Sequence, residues 1–219
     1  MARIDSLIGG LGVGLDRVLD WAGGAAWRGY LLVSLIAIAV ALPGFVTLPV
    51  TDRDEARFVQ ATKQMMQSGD YIDIRFQDEP RWKKPVGIYW LQAATALPAG
   101  GPEAPIWAYR LPSMLAAILA ALATVWAGRA ILGARASVLG GMLMATTLLL
   151  AAEATIAKTD ASLTLTAVLV MAVLFRLMTG QTGRYDWIVF WLAIAGSILL
   201  KGPIVPVIAL LAIAAAWIA

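Results

Sequence analysis

Between Thr51 and Pro85 the chain gathers the side chains that could do chemistry: Asp54, three residues before Arg57, then Arg81, Lys83 and Lys84 ahead of Tyr89. A carboxylate can take the proton of a hydroxyl, an assistance worth roughly 10² to 10⁴ in rate, while fixed cations hold an anion as it departs. The sequence contains no His and no Cys. That removes the usual neutral-pH base, thiolate nucleophiles, disulfides and the ordinary zinc ligands, so acid–base work falls to carboxylates.

Something must position these residues, and composition says in what solvent. Apolar residues make up 60% of the chain and charged ones 14%. A soluble domain of this size could not cover that balance with polar surface, so lipid is the solvent for much of the chain. The run from Tyr30 to Val50 carries no charge and is long enough to cross a hydrocarbon core of ~30 Å at about 1.5 Å per residue. Later apolar runs lie at Leu111 to Gly128, Ser137 to Ala152, Ala161 to Phe175, Trp187 to Leu200 and Ile204 to the terminus, which makes about six spans. These runs lack the alternation of barrel strands, and a backbone amide in lipid must be bonded within its own segment, so the spans are helical. The predicted fold class is all-α, a polytopic helical membrane protein. Residues 1–27 form an amphipathic N-terminal segment, 28–50 the first transmembrane helix, 51–106 an external loop with surface helices, and 107–219 further transmembrane helices. Because Ala219 falls inside an apolar run, the chain is expected to be truncated.

Ahead of the first span, Ile4, Leu7, Ile8, Leu11, Leu15, Val18 and Leu19 recur at helical spacing, with Arg3, Asp5, Asp16, Arg17 and Asp20 on the remaining face. This reads as a helix lying on the membrane surface; an unstructured tail stays open because of Gly9, Gly10, Gly12 and Gly14. Lys and Arg in short connections set the orientation, and Arg3, Arg17 and Arg28 put the N-terminus in the cytoplasm. The run Val86 to Leu97 is about a dozen residues long and ends at Pro98, too short to cross, so it is read as a re-entrant or surface helix. Arg129, Arg135, Arg176 and Arg184 then fall in the cytoplasm, and Asp54, Lys83, Lys84, Asp160 and Lys201 on the opposite face.

Within the external segment, Thr51 and Asp52 are good N-caps with Asp54 and Glu55 three positions after each, so a helix runs from here to about Gln67, stopped by Ser68-Gly69. Phe58, Thr62, Met65 and Met66 form its apolar face, and Asp54 can pair with Arg57 one turn on. Tyr71 to Phe76 alternates as an extended stretch, and Gln77 to Pro80 is a turn. Plainer roles stand beside the chemical ones. Asp54 could be a first-turn carboxylate stabilised by the helix dipole by roughly 0.3 to 1 kcal/mol. Lys83 and Lys84 could meet lipid headgroups, Asp160 and Glu153 could cap helix ends, and Lys158 could snorkel. Lys201-Gly202-Pro203 reads as a helix end with a hinge, or as part of a site. Trp107, Trp187 and Trp191 suit interfacial anchoring.

Asp54-Glu55-Ala56-Arg57 after the first span, Ser68-Gly69-Asp70, Lys84-Pro85 with Tyr89-Trp90, Arg110-Leu111-Pro112-Ser113, Thr159-Asp160 and Lys201-Gly202-Pro203 stand in one order relative to the spans. In this the chain resembles the bacterial aminoarabinose transferase and protein O-mannosyltransferase group, membrane glycosyltransferases that take a sugar from a polyprenyl phosphate carrier. The resemblance runs from about Leu31 to the end. It implies a GT-C-like N-terminal transmembrane module in the bacterial inner membrane, with a periplasmic active face. The donor would be a lipid-linked sugar and the acceptor a hydroxyl of a lipid A-like glycolipid or a protein; no nucleic-acid partner is expected. By the resemblance Asp54 corresponds to the catalytic Asp, Arg57 to its neighbouring Arg, Lys84 to the Lys of a Lys-Pro-Pro motif and Asp160 to a further acidic site residue; Lys83, Tyr89 and Lys201 join them as substrate contacts. A departing phosphate is already a stable anion, so no second carboxylate is needed as acid, unlike a glycosidase. Three positions depart from the pattern. Lys83 stands where an acidic residue is common, Val86 replaces a second Pro, and Phe58 stands where Tyr is usual. A metal site therefore does not transfer, and no cofactor is expected, with a divalent metal left open. Relatives are longer, with further spans and a soluble external domain. The alternative class is a membrane transporter or scaffold; carriers place ionisable groups or broken helices near mid-membrane, whereas the charges here collect at one edge, which favours the enzyme.

Overall fold

The computed structural model describes residues 2–50 and 52–218, with side chains from residue 12 onward. The Thr51 cap and the Arg3, Ile4, Asp5, Leu7, Ile8 and Leu11 side chains therefore lie outside the described residues. The chain forms α1 (Ala2–Gly23), α2 (Ala26–Phe45), α3 (Arg53–Ser68), a ribbon of β1 (Arg75–Phe76) and β2 (Glu79–Pro80), α4 (Gly87–Ala96), α5 (Ile106–Ile131), α6 (Ala134–Ala145), α7 (Leu148–Glu153), α8 (Asp160–Met178), α9 (Asp186–Lys201) and α10 (Ile204–Ile218).

Three of these, α2, α5 and α8, are long and apolar enough to cross a membrane. The central one is α5, which packs on α8, α6 and α2. Its contact faces are built from Ala116, Ala117, Ala120, Ala121 and Ala123, all buried, and such small side chains let neighbouring helices approach closely where no water drives them together. The same economy operates at Gly141, where an added Cβ would lie 2.3 Å from Val125 Cγ2.

The apolar runs and the helices differ in three places. The first run extends to Val50, but α2 stops at Phe45; Pro43 and Pro49 weaken the ladder there, and carbonyls from Phe45 and Leu48 turn instead to a side chain of α5. The run Ser137 to Ala152 is broken into α6 and α7. At the break, the Thr146 and Thr147 hydroxyls donate to the Met142 and Leu143 carbonyls four residues back, local bonds that compete with the helical ladder. Finally α9 and α10 have 16 and 15 residues, so each rises only about 23 Å.

Contacts sort the charges to two ends. At one, Arg135 pairs with Asp16 and Asp20 of α1, and Arg176 at the end of α8 pairs with Asp186 at the start of α9 while lying 4.6 Å from the Trp126 ring of α5. At the other lie α3, the ribbon, α4, the start of α8 and the end of α9. There α4, with 10 residues, rises about 15 Å, half a hydrocarbon core. It packs on α3 and α5, and Ile88, Tyr89 and Ala93 join Phe58, Ala61, Met65, Ile74 and Leu200 in one buried cluster.

Candidate active site

Helix α3, which carries Asp54, is fixed at its first turn. The Asp52 carboxylate caps it, accepting from the amides of Asp54 at 2.6 Å and Glu55 at 3.1 Å. Burial pushes the Asp52 carboxyl up, but those two amides and the neighbouring Lys158 ammonium more than offset this and hold it below the ordinary carboxylate value. Capping leaves Asp54 facing outward, 56% exposed and 3.8 Å from Arg57. At the other end Gly69, with φ 72°, closes the helix by donating to the Met65 carbonyl, the left-handed cap that glycine adopts without a Cβ clash.

Opposite α3 stands the ribbon. Its turn passes through Gln77, at φ 59°, which is held by two hydrogen bonds to one side chain: Gln64 donates to the Gln77 carbonyl and accepts from its amide. Arg81 ties the ribbon to both helices. Its Nε donates to the Tyr89 hydroxyl at 2.8 Å, and its guanidinium lies 5.1 Å from the Phe58 ring and 5.7 Å from that of Phe76.

Between α3 and the ribbon opens a polar cleft of about 620 Å³. Asp54, Arg57, Lys83 and Lys84 line it, together with Arg81, Gln77, Asp78 and Glu79. Three carboxylates, Asp54 on α3 and Asp78 and Glu79 on the ribbon side, thus share a cleft with four cations. Tyr89 is buried and reaches the cleft only through Arg81; burial raises its hydroxyl above the ordinary value, so it stays neutral. Asp160 and Lys201 are not on the cleft: they pair with each other where α8 begins and α9 ends. Gly87, three residues beyond Lys84, lines a second cavity of about 530 Å³ that is almost wholly apolar, walled by Trp90, Leu91, Leu115, Leu119, Leu165 and Leu199. Among the described residues no group of three or more Asp or Glu side chains is arranged to hold a metal ion.

Beneath the cleft is a constellation the sequence reading missed. Glu55, expected only as part of the cap, faces the other way and forms a two-point ion pair with Arg110 of α5, Nε to Oε1 at 2.7 Å and Nη2 to Oε2 at 3.0 Å. The two side chains are 2% and 1% exposed. Arg110 Nη1 also donates to the carbonyls of Leu48 at 2.8 Å and Phe45 at 3.1 Å, and Glu55 Oε1 accepts from the Ala157 amide at 2.9 Å. One guanidinium–carboxylate pair thus joins the end of α2, the start of α3, α5 and the turn between α7 and α8. Gln92 extends the network, donating to the Ala157 carbonyl and accepting from Thr62 at 2.6 Å. Lys158 does not snorkel; it is buried between Asp52 at 3.3 Å and Glu153 at 3.2 Å. The signal was present in Glu55 and Arg110, both charged and both beside apolar spans, but a sequence does not say which distant partner a buried charge takes.

A polytopic helical membrane protein with carboxylates and basic side chains collected in a cleft at one end of the bundle is the class that fold and cleft define. The chain belongs to the dolichyl-phosphate-mannose-protein mannosyltransferase family, whose pattern matches residues 83–219; Lys83 and Lys84 open that match, and Asp54 lies ahead of it. It is 28% identical over 142 residues to the undecaprenyl phosphate-alpha-4-amino-4-deoxy-L-arabinose arabinosyl transferase of Edwardsiella ictaluri, an alignment covering 64% of this chain and 25% of that one. Its fold matches ArnT from Cupriavidus metallidurans in the apo state, with TM-score 0.72 and 22% identity over 83% of this chain and 34% of that one. The same protein bound to undecaprenyl phosphate gives TM-score 0.74 at 22% identity, over 84% and 34% of the two chains. The chain thus spans about a quarter of the curated relative and a third of the solved structures it matches.

Proposed function

We propose that this chain is the donor-binding, base-carrying part of a glycosyltransferase that moves a sugar from a polyprenyl phosphate to a hydroxyl at the periplasmic face of the bacterial inner membrane. The observation that carries the reading is the cleft itself, where Asp54 shares one space with Arg57, Arg81, Lys83 and Lys84, and an apolar cavity begins three residues past Lys84. Lys84 and Arg57, helped by Lys83, hold the phosphate, and the apolar cavity takes the first part of the isoprenoid chain. Asp54 takes the proton of the acceptor hydroxyl as its oxygen bonds to the sugar's anomeric carbon. The bond from that carbon to the phosphate oxygen breaks, and the phosphate leaves as an anion neutralised by the cations around it. A relative solved with undecaprenyl phosphate bound supports this donor class. The acceptor is a hydroxyl of a lipid A-like glycolipid or of a protein. Asp160 and Lys201 pair at helix ends rather than in mid-span, and their position favours an enzyme over a transporter.

The test separates binding from transfer. In membranes containing the whole glycosyltransferase of which this chain is part, Asp54→Asn should abolish sugar transfer from a radiolabelled polyprenyl phosphate donor while leaving photo-crosslinking to a polyprenyl phosphate probe unchanged. Lys84→Gln should weaken crosslinking about tenfold. Undiminished crosslinking in Lys84→Gln, or transfer that survives Asp54→Asn, would overturn the assignment of the respective residue.

A further inference from the structure

At the end of the bundle remote from the cleft, two arginines meet α1 without a carboxylate. Arg28, in the first turn of α2, lies between two indoles, its guanidinium 5.5 Å from the Trp21 ring and 5.6 Å from that of Trp27. Arg129, in the last turn of α5, reaches across to α2, its Nη1 3.8 Å from the point where Gly29 would carry a Cβ. The Nη1 of Arg28 is 3.7 Å from the equivalent point on Gly24. Gly24 lies in the junction between α1 and α2 and Gly29 in the first turns of α2, and their added Cβ atoms would lie 3.5 Å from the Trp21 carbonyl oxygen and 3.3 Å from that of Ala22, so the two guanidinium groups flank the corner where α1 ends. Arg28 Nε and Arg129 Nη1 are buried and have no hydrogen-bond partner among the described residues. Among the described residues, the carboxylates at this end are engaged elsewhere: Asp16 and Asp20 with Arg135, and Asp186 with Arg176.

Charged donors shielded from water need an acceptor, because the low dielectric that strengthens a satisfied pair penalises an empty one. The corner is suited to an anion in one further respect: it lies at the amino end of α2, where first-turn amides carry partial positive charge. The flanks are apolar and open. Trp21 and Trp27 are 47% and 61% exposed, and Leu15 and Val18 lie outward on α1. The ends of spanning helices sit at headgroup depth, where indoles and arginines are at home.

We propose that this corner binds an anionic phospholipid, with its phosphate diester on Arg28 and Arg129 and its acyl chains against Trp21, Trp27 and Val18. The planar guanidinium matches phosphate oxygens two at a time, and the exposed indoles commit the site to a lipid rather than a soluble phosphate. The lipid adds to the packing of Leu19 and Ala22 and to the Arg135 pairs that already hold α1 to the bundle.

The test uses the whole purified chain in detergent, titrated with phosphatidylglycerol or with phosphatidylcholine of the same acyl chains. Binding is read by native mass spectrometry and by thermal unfolding. Phosphatidylglycerol should bind about tenfold more tightly and raise the melting temperature. Arg28→Gln with Arg129→Gln should remove that preference, and Arg184→Gln, an exposed arginine at the same end, should keep it. Arg129→Lys preserves charge and fold but not the two-point fit, so it should weaken binding several-fold even where the double variant fails to fold. Equal affinity for the two lipids, or an undiminished preference in Arg129→Lys and the double variant, overturns the site. Displacement of phosphatidylglycerol by glycerol 3-phosphate at equal concentration overturns the lipid as its occupant.

Discussion

Arg110→Leu tests the architecture most directly, because this side chain makes more polar contacts across elements than any other described. The substitution keeps an apolar side chain in α5, shorter than arginine, and deletes the guanidinium. Glu55, 2% exposed, would keep only the Ala157 amide, and removing one partner of a buried pair costs roughly 3 to 5 kcal/mol because the other charge is left uncompensated. The Phe45 and Leu48 carbonyls would lose a charged donor, adding about 1 kcal/mol each. The sum, roughly 5 to 7 kcal/mol, is comparable to the whole stability of many domains. Reversible unfolding by SDS in mixed micelles, followed by tryptophan fluorescence, measures it. Glu55→Gln alone should be costly too, and the double variant should fall short of the summed single losses by about 2 to 3 kcal/mol. Arg110→Lys keeps the charge but cannot face a carboxylate and two carbonyls together, so it should land between. A loss below about 1 kcal/mol in Arg110→Leu, or additivity within about 0.5 kcal/mol in the double variant, would refute the reasoning.

Gly87→Ala should destabilise by about 1 to 3 kcal/mol in the same assay, since its Cβ would lie 2.6 Å from the Leu199 backbone oxygen, and neither backbone can yield without parting α4 from α9. Stability should also show acid and alkaline limits of known origin. Asp52 is held below its ordinary value of 3.8, so its contribution is present above that pH and lost as pH falls through the lowered value. Burial pushes Lys158 down, but Glu153 and Asp52 outweigh it and hold the ammonium above 10.5, so its share is present below 10.5 and lost as pH rises through the raised value. Unfolding midpoints should therefore be flat between about pH 5 and 10, and Asp52→Asn should reduce the acid dependence; an unchanged acid limb would show that the cap carries none of it. Single cysteines in this naturally cysteine-free chain report its sidedness. An impermeant thiol reagent on intact cells should label Gln77→Cys and Lys201→Cys and spare Arg135→Cys and Thr182→Cys, and labelling at 135 would sink the orientation.

Much of the bundle was legible because its signals are local. Apolar run length located α2, α5 and α8, and the Asp52 cap and the Gly69 stop bounded α3 within a residue or two. Local chemistry also hid some features. The Thr146-Thr147 break came from two hydroxyls turning back on their own helix, inside a run whose apolarity looked continuous. At the cleft, Asp54, Arg57, Lys83 and Lys84 come together, whereas Asp160 and Lys201 satisfy each other outside it and Tyr89 serves by holding Arg81. What spacing could not convey is which charges are spent inward. Glu55 and Asp54 are adjacent in sequence and face opposite ways, and Arg110 lies 55 residues from its partner. Such pairings depend on how helices cross, which no short pattern encodes.

The Glu55–Arg110 pair also dictates an order of assembly. Glu55 is synthesised well before Arg110, and the Ala157 amide that completes its shell arrives 102 residues later. Until α5 has entered the bilayer, the carboxylate has no counter-ion and must remain hydrated. The segment after α2 therefore stays undocked from α5 while α2 waits in the membrane, and docks only when α5 threads beside it. The seating of the cleft, though not its lining, consequently waits for α5: a chain halted before Arg110 would carry Asp54 and both lysines on a segment whose Glu55 has no counter-ion.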